Sequence, residues 1–85
     1  MINAAFIYVA PGQNPQEQKA VIPSDTLTLH VVGCSTYDQA ETAAKELVAN
    51  GCGAIELCAG FGNEGIARIK KAAVSYTHLT LPTIA

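Results

Sequence analysis

A chain of 85 residues, 49% hydrophobic and 14% charged, is long enough for one globular domain and excludes both a disordered segment and a multidomain arrangement. Five Lys+Arg against seven Asp+Glu leave a net charge of −2, so there is no basic stripe, and neither nucleic acid nor an anionic membrane is expected as a partner. The opening MINAAFIYVAPG lacks the charged start of a signal peptide, and its apolar run is too short to span a bilayer; a cytoplasmic protein is expected.

The elements follow in chain order. Residues 4–10 form a short apolar, β-rich run closed by Pro11 and Gly12, a first strand and its turn. In the polar stretch QNPQEQKAVIPSD, Asn14 is placed to cap, Pro15 stands at a first helical position and Glu17 lies three residues after the cap. This predicts a single helical turn, which Pro23 keeps from running on. Residues 26–33 (TLTLHVVG) place Leu27, Leu29 and Val31 on one face and Thr28, His30 and Val32 on the other, the period of a second strand.

Thr36 and Gln39 fit a capping box, after which Tyr37, Ala40, Ala44, Leu47 and Val48 recur at helical spacing with Glu41 and Lys45 paired outward. Asn50 and Gly51 close that helix. AIELC at 54–58 is a third strand, and a glycine loop leads into a second helix over 63–73 with Ile66 and Ile69 inward. Phe61 is placed to staple against Ile66, while Glu64 early and Arg68, Lys70 and Lys71 late suit the helix dipole. Strand, helix, strand, helix implies a right-handed β-α-β unit with parallel second and third strands in a small open α/β sheet. A helix leaving such a sheet normally returns to it, so the chain is expected to stop one strand early. That leaves either the outer edge of the third strand or the apolar stripe Ile66, Ile69, Ala73 uncovered.

Residues 74–83, VSYTHLTLPT, resemble the translation of a transposase-based sequencing adapter. Residues 1–73 are therefore taken as a single incomplete α/β domain and 74–85 as a non-native tail that should pack less well and is excluded from functional argument. The competing reading is a real terminal strand, because Tyr76, His78 and Thr80 alternate with Thr77, Leu79 and Leu81.

Three stretches, AAFIYVAPG at 4–12, VVGCSTYDQAE at 31–41 and ELCAGFGNEG at 56–65, carry a resemblance to a family of small bacterial and archaeal proteins of unknown function. Its members begin with a KAAFIFVAPG-like strand and bear an ELCGGFG-type motif. The resemblance covers residues 1–73 and implies a further β-rich segment after the second helix, but no known activity or cofactor. Ala59 stands where the family motif has glycine, making the loop less permissive there.

Gly60, Gly62 and Gly65 spell G-x-G-x-x-G between a strand and a helix, half of the context of a dinucleotide site. The other half is missing, because the motif follows the third strand and no further strand supplies the ribose-binding acid. Two readings stand. In one, the loop Gly60, Phe61, Gly62, Asn63, Glu64, Gly65 binds a small anionic metabolite with backbone N–H groups at a helix N-terminus. In the other, the glycines serve a tight turn and close packing.

Glu56 shares a strand face with Cys58 and opposes Ile55 and Leu57, so either an acid–base role or a structural hydrogen-bonding role fits it. Cys58 ends the strand beside the loop, the position of a nucleophile. His30 faces Glu56 only if their strands are neighbours with matching faces; otherwise it is a structural residue. Cys34 and Cys52 read as small buried apolar residues, and the three cysteines match no disulfide or zinc pattern. Beside anion binding, a small enzyme using Glu56 or Cys58 and a non-catalytic homo-oligomerisation module remain open.

Overall fold

In a computed structural model, which describes residues 2–74, the sheet is built on β1 (Ile2–Val9), where alternation drives Ala5 and Ile7 to full burial. It is followed by β2 (Lys19–Pro23), β3 (Leu27–Cys34), α1 (Tyr37–Ala49), β4 (Ala54–Leu57), a 3-10 turn (Ala59–Phe61) and α2 (Gly62–Val74). The strand order is β2-β3-β1-β4. β1 runs parallel to both β3 and β4, and β2 runs antiparallel to β3. The result is a mixed, open α/β sheet.

The turn before β2 keeps the Asn14 cap that its sequence predicts, but Gln18 and not Glu17 reaches back, its carboxamide oxygen accepting from the Asn14 N–H (2.7 Å). The Asn14 side chain accepts from the Gln16 N–H (2.9 Å), and the Asn14 carbonyl accepts from the N–H groups of Glu17 (2.9 Å) and Gln18 (2.7 Å). The polar stretch does not end there, however. Lys19–Pro23 is a strand, every residue of it exposed, held by the ladder that pairs Lys19 with Val32 and Pro23 with Thr28. Its only proline closes the strand at the outer edge of the sheet, where no N–H is needed.

At α1 the Thr36 hydroxyl accepts from the Gln39 N–H (3.1 Å), and the Gln39 carboxamide reaches back to the Ser35 N–H (2.8 Å) and hydroxyl (3.0 Å). The capping box is thus offset by one residue. Ala40, Ala43, Ala44 and Val48 are buried, and Gly51 leaves the helix at φ +96, a backbone state that glycine adopts without strain. The expected Glu41–Lys45 pairing gives way to a bond across helices, from the Arg68 guanidinium of α2 to Glu41 and to Asp38 (2.5 Å).

Both helices cover one face. Ile7, Cys34, Ile55, Leu57, Phe61 and Ile69 are completely buried there in a single core with the alanines of α1. Burial of Cys34 and Cys52 bears out their apolar reading, and burial pushes both thiols above their ordinary pKa. Ile69 and Ala73 are fully covered, so the stripe of α2 is not left bare. Among the described residues, β4 pairs only with β1. The expectation about residues 74–85 meets the structure only at Val74, the last residue of α2; the remainder lies outside the described residues.

The opposite face carries no helix among the described residues. Parity places Ile2, Phe6, Leu27, Leu29 and Val31 on it, joined by Ile22 through its pairing with Leu29. Ile2 is 62% exposed, Ile22 56% and Leu27 36%. Near its upper end the Tyr8 ring fills the space that a side chain at Gly33 would need, and the Tyr8 hydroxyl donates to Gln13 (2.9 Å).

Candidate functional site

The parallel strands β1, β3 and β4 end at the same edge of the sheet, and both helices begin there. The glycine loop lies at this edge, and each of its glycines answers a local demand. A Cβ on Gly60 would stand 3.0 Å from the Val9 carbonyl oxygen, so this position lets the 3-10 turn approach the end of β1. Gly62 has φ 61 and ψ 179, a combination reserved in practice for glycine. A Cβ on Gly65 would stand 2.8 Å from Cε1 and Cζ of Tyr37 and 3.1 Å from Cδ1 of Phe61.

That last contact belongs to a clasp between the helices. Phe61 is completely buried and stacks on Tyr37 with ring centroids 5.8 Å apart and planes 13° from parallel. The Tyr37 hydroxyl donates to the Phe61 carbonyl (2.5 Å), and the Arg68 guanidinium lies 5.7 Å above the Tyr37 ring. Hydrogen bonds to Glu41 and then Asp38 hold the guanidinium pKa above its ordinary value. Tyr37, which the sequence marks only as an inward helical residue, is therefore the contact that joins the loop to α1.

Outward from this clasp the loop is open. Gly60, Gly62, Asn63 and Glu64 are exposed, and a side chain at Gly62 would meet only the Tyr37 hydroxyl, at 4.0 Å.

The other sequence-marked residues do not gather around the loop. Glu56 is exposed on the helix-free face, opposite in direction to the buried Ile55 and Leu57. Cys58 follows the end of β4, packs against the core and accepts a hydrogen bond from the Val9 N–H at its sulfur (3.4 Å). The two share the neighbourhood of one strand but not one surface. His30 does not face Glu56. β1 stands between β3 and β4, and His30 shares the helix-side face with Val32 and Val21. The insertion of β1 as the central strand is the reason, since it pairs with both of the strands that carry these residues.

Sequence reasoning missed two surfaces. One is the apolar face just described, in which Ala4, Phe6, Leu29, Val31, Ala54 and Glu56 border a hollow of about 360 Å³. The other is a groove between β2 and α1, reached by Lys19, His30 and Glu46. The alternation in TLTLHVVG shows that Leu27, Leu29 and Val31 share a side, but not that the helices pack on the other one. The groove depends on β2, which has no local signal of its own.

The described residues include no group of three or more His, Cys, Asp or Glu placed to hold a metal ion, and no helix long and apolar enough to cross a membrane. Cys34, Cys52 and Cys58 are all free thiols.

With this geometry in place, the chain can be set beside known proteins. Residues 2–78 match the profile of a family described as a family of unknown function, DUF6506. The match takes in nearly all of the chain, which belongs to that family, and it extends past Val74. No curated protein and no solved structure matches.

Proposed function

We propose that this member of a family of unknown function is an assembly module whose helix-free sheet face packs against the same face of a second copy. The observation that carries the reading is the inversion in β3: Leu27, Leu29 and Val31 point away from the helices, while Thr28, His30 and Val32 point toward them. A strand normally turns its more apolar side to the core. Among the described residues no element covers this apolar patch, the mark of a surface that has a partner.

A second copy suits this surface for two reasons. Glu56 is the only ionisable carboxylate or ammonium group among the strand residues of that face, and it lies on the edge strand β4, so the single like charge that each copy brings sits at the rim and not in the middle of the patch. The face is a twisted, pleated sheet, and such sheets pack face to face about 10 Å apart. With strands about 4.8 Å apart and about 3.3 Å per residue, its flat area is roughly 400 Å². Two such faces bury on the order of 1,000 Å² of accessible surface, the low end for a specific interface, so the pair should dissociate on dilution. Sedimentation over a range of concentrations tests this. Leu29→Lys, which sets a charge in the middle of the patch without entering the helix-side core, should weaken association at least tenfold. A chain that stays monomeric at every concentration, or a Leu29→Lys variant that associates unchanged, overturns the reading.

A second reading is favoured by the open space in front of Gly62 and the exposed start of α2. There a small anion such as phosphate or a carboxylate would meet unhindered N–H groups and the positive end of the helix. Glu64, in the first turn, opposes it. Phosphate titration followed by the amide shifts of Gly62, Asn63 and Glu64 is the test, and Glu64→Gln should raise the affinity a few-fold. Silence of these amides at millimolar phosphate leaves the glycines as turn and packing residues.

A further inference from the structure

We infer that the groove between β2 and α1 is a binding site for a small zwitterion, a molecule with an apolar body that carries both a carboxylate and an ammonium group. α1 packs over β1 and β3 but leaves β2 uncovered, so a trench opens on the helix side of the sheet. Its volume is about 530 Å³, within the range of small-molecule sites. The site is separate from the apolar face and from the glycine loop.

Strand pairing builds the floor. Lys19 pairs with Val32 and Val21 with His30, and alternation sends all four side chains to the helix side. Helical spacing builds the wall, because Thr42, Ala43, Glu46 and Leu47 follow one stripe of α1. Val21, Val32, Ala43 and Leu47 supply apolar surface in both floor and wall.

The charges select the ligand. Asp38 also reaches the groove, but its carboxylate is already bonded to Arg68, which it shares with Glu41. Glu46 is then the uncommitted carboxylate on the helix side, and Lys19 the ammonium on the sheet side, next to His30. Among the described residues Lys19 and Glu46 form no ion pair with each other, although both line the same groove. Opposite charges on the two sides of an apolar trench, Lys19 on β2 and Glu46 on α1, match a molecule that offers a carboxylate to Lys19 and His30 and an ammonium to Glu46. A simple anion would face Glu46 unpaired, and a simple cation would face Lys19 in the same way.

Three probes with one aromatic body separate these cases: phenylalanine, phenylacetate and phenethylamine, each titrated into the full chain and followed by amide shifts. Phenylalanine should move the amides of Val21, Val32, Ala43 and Leu47 and bind about tenfold more tightly than either singly charged analogue. Glu46→Gln should reduce phenylalanine to the affinity of phenylacetate, and Lys19→Gln to that of phenethylamine. Both residues are exposed, so the fold survives either change. Lys45→Gln, on α1 but outside the groove, should change nothing. The proposal is overturned if phenylacetate or phenethylamine binds as well as phenylalanine. It is equally overturned if neither substitution weakens phenylalanine, if the shifts fall outside the groove, or if none of the three probes shifts these amides at millimolar concentration.

Discussion

Replacing Gly65 by alanine sets two effects of opposite sign against each other. Gly65 lies in the first turns of α2, and alanine favours a helix over glycine by about 0.5–1 kcal/mol. If the G-x-G-x-x-G spacing served only a ligand, the substitution should therefore be neutral or stabilising to the free protein. The packing says otherwise. The added Cβ would stand 2.8 Å from two atoms of the Tyr37 ring, which cannot slide aside freely. The ring is stacked on the fully buried Phe61, its hydroxyl is bonded to the Phe61 carbonyl at 2.5 Å, and Arg68 lies over it.

Overpacking of this kind costs about 1–3 kcal/mol, so after the helix gain the net effect is a loss centred on about 1 kcal/mol. With a urea m-value of about 1 kcal/mol/M, appropriate to a small domain, the unfolding midpoint should fall by roughly 1 M. The same substitution in a Tyr37→Leu background, where the ring is gone, should be neutral or stabilising, and the difference between the two backgrounds measures the coupling. A midpoint that rises or holds with Tyr37 present would refute the packing account.

Two further outcomes follow from the helix clasp and the core thiols. Arg68→Leu should lower the melting temperature at low ionic strength and flatten its salt dependence, because the bonds to Asp38 and Glu41 are partly exposed and screened by salt; equal slopes in both proteins would count against them. Iodoacetamide near neutral pH should label the half-buried Cys58 before Cys34 and Cys52, which mass spectrometry reads directly; simultaneous labelling of all three would contradict the burial. Because burial raises the Cys34 and Cys52 pKa values above 9.0, the unfolded chain loses these protons first. Their stabilising effect is therefore intact below pH 9.0 and diminishes as pH rises beyond it, so urea midpoints measured across that range should decline.

Local rules fix much of this chain. The alternation of β1 and β3, the Thr36–Gln39 cap of α1, the Asn14 turn, the Gly51 exit and the inward stripes of both helices depend on neighbours within a few residues, so they can be read in order along the sequence. The α/β class follows from their succession. Tertiary structure alone decides the rest, because it depends on pairs far apart in sequence. Lys19–Pro23 becomes a strand only through its ladder with β3. β1 takes the place between β3 and β4, which separates His30 from Glu56. The reason for Gly65 is a ring on another helix, at Tyr37. The two faces of β3 have the same period in the sequence, and only the side on which both helices land buries Val32 and leaves Leu27, Leu29 and Val31 on the face that no helix covers among the described residues. Period fixes which residues share a face, whereas packing between distant elements chooses which face becomes the core.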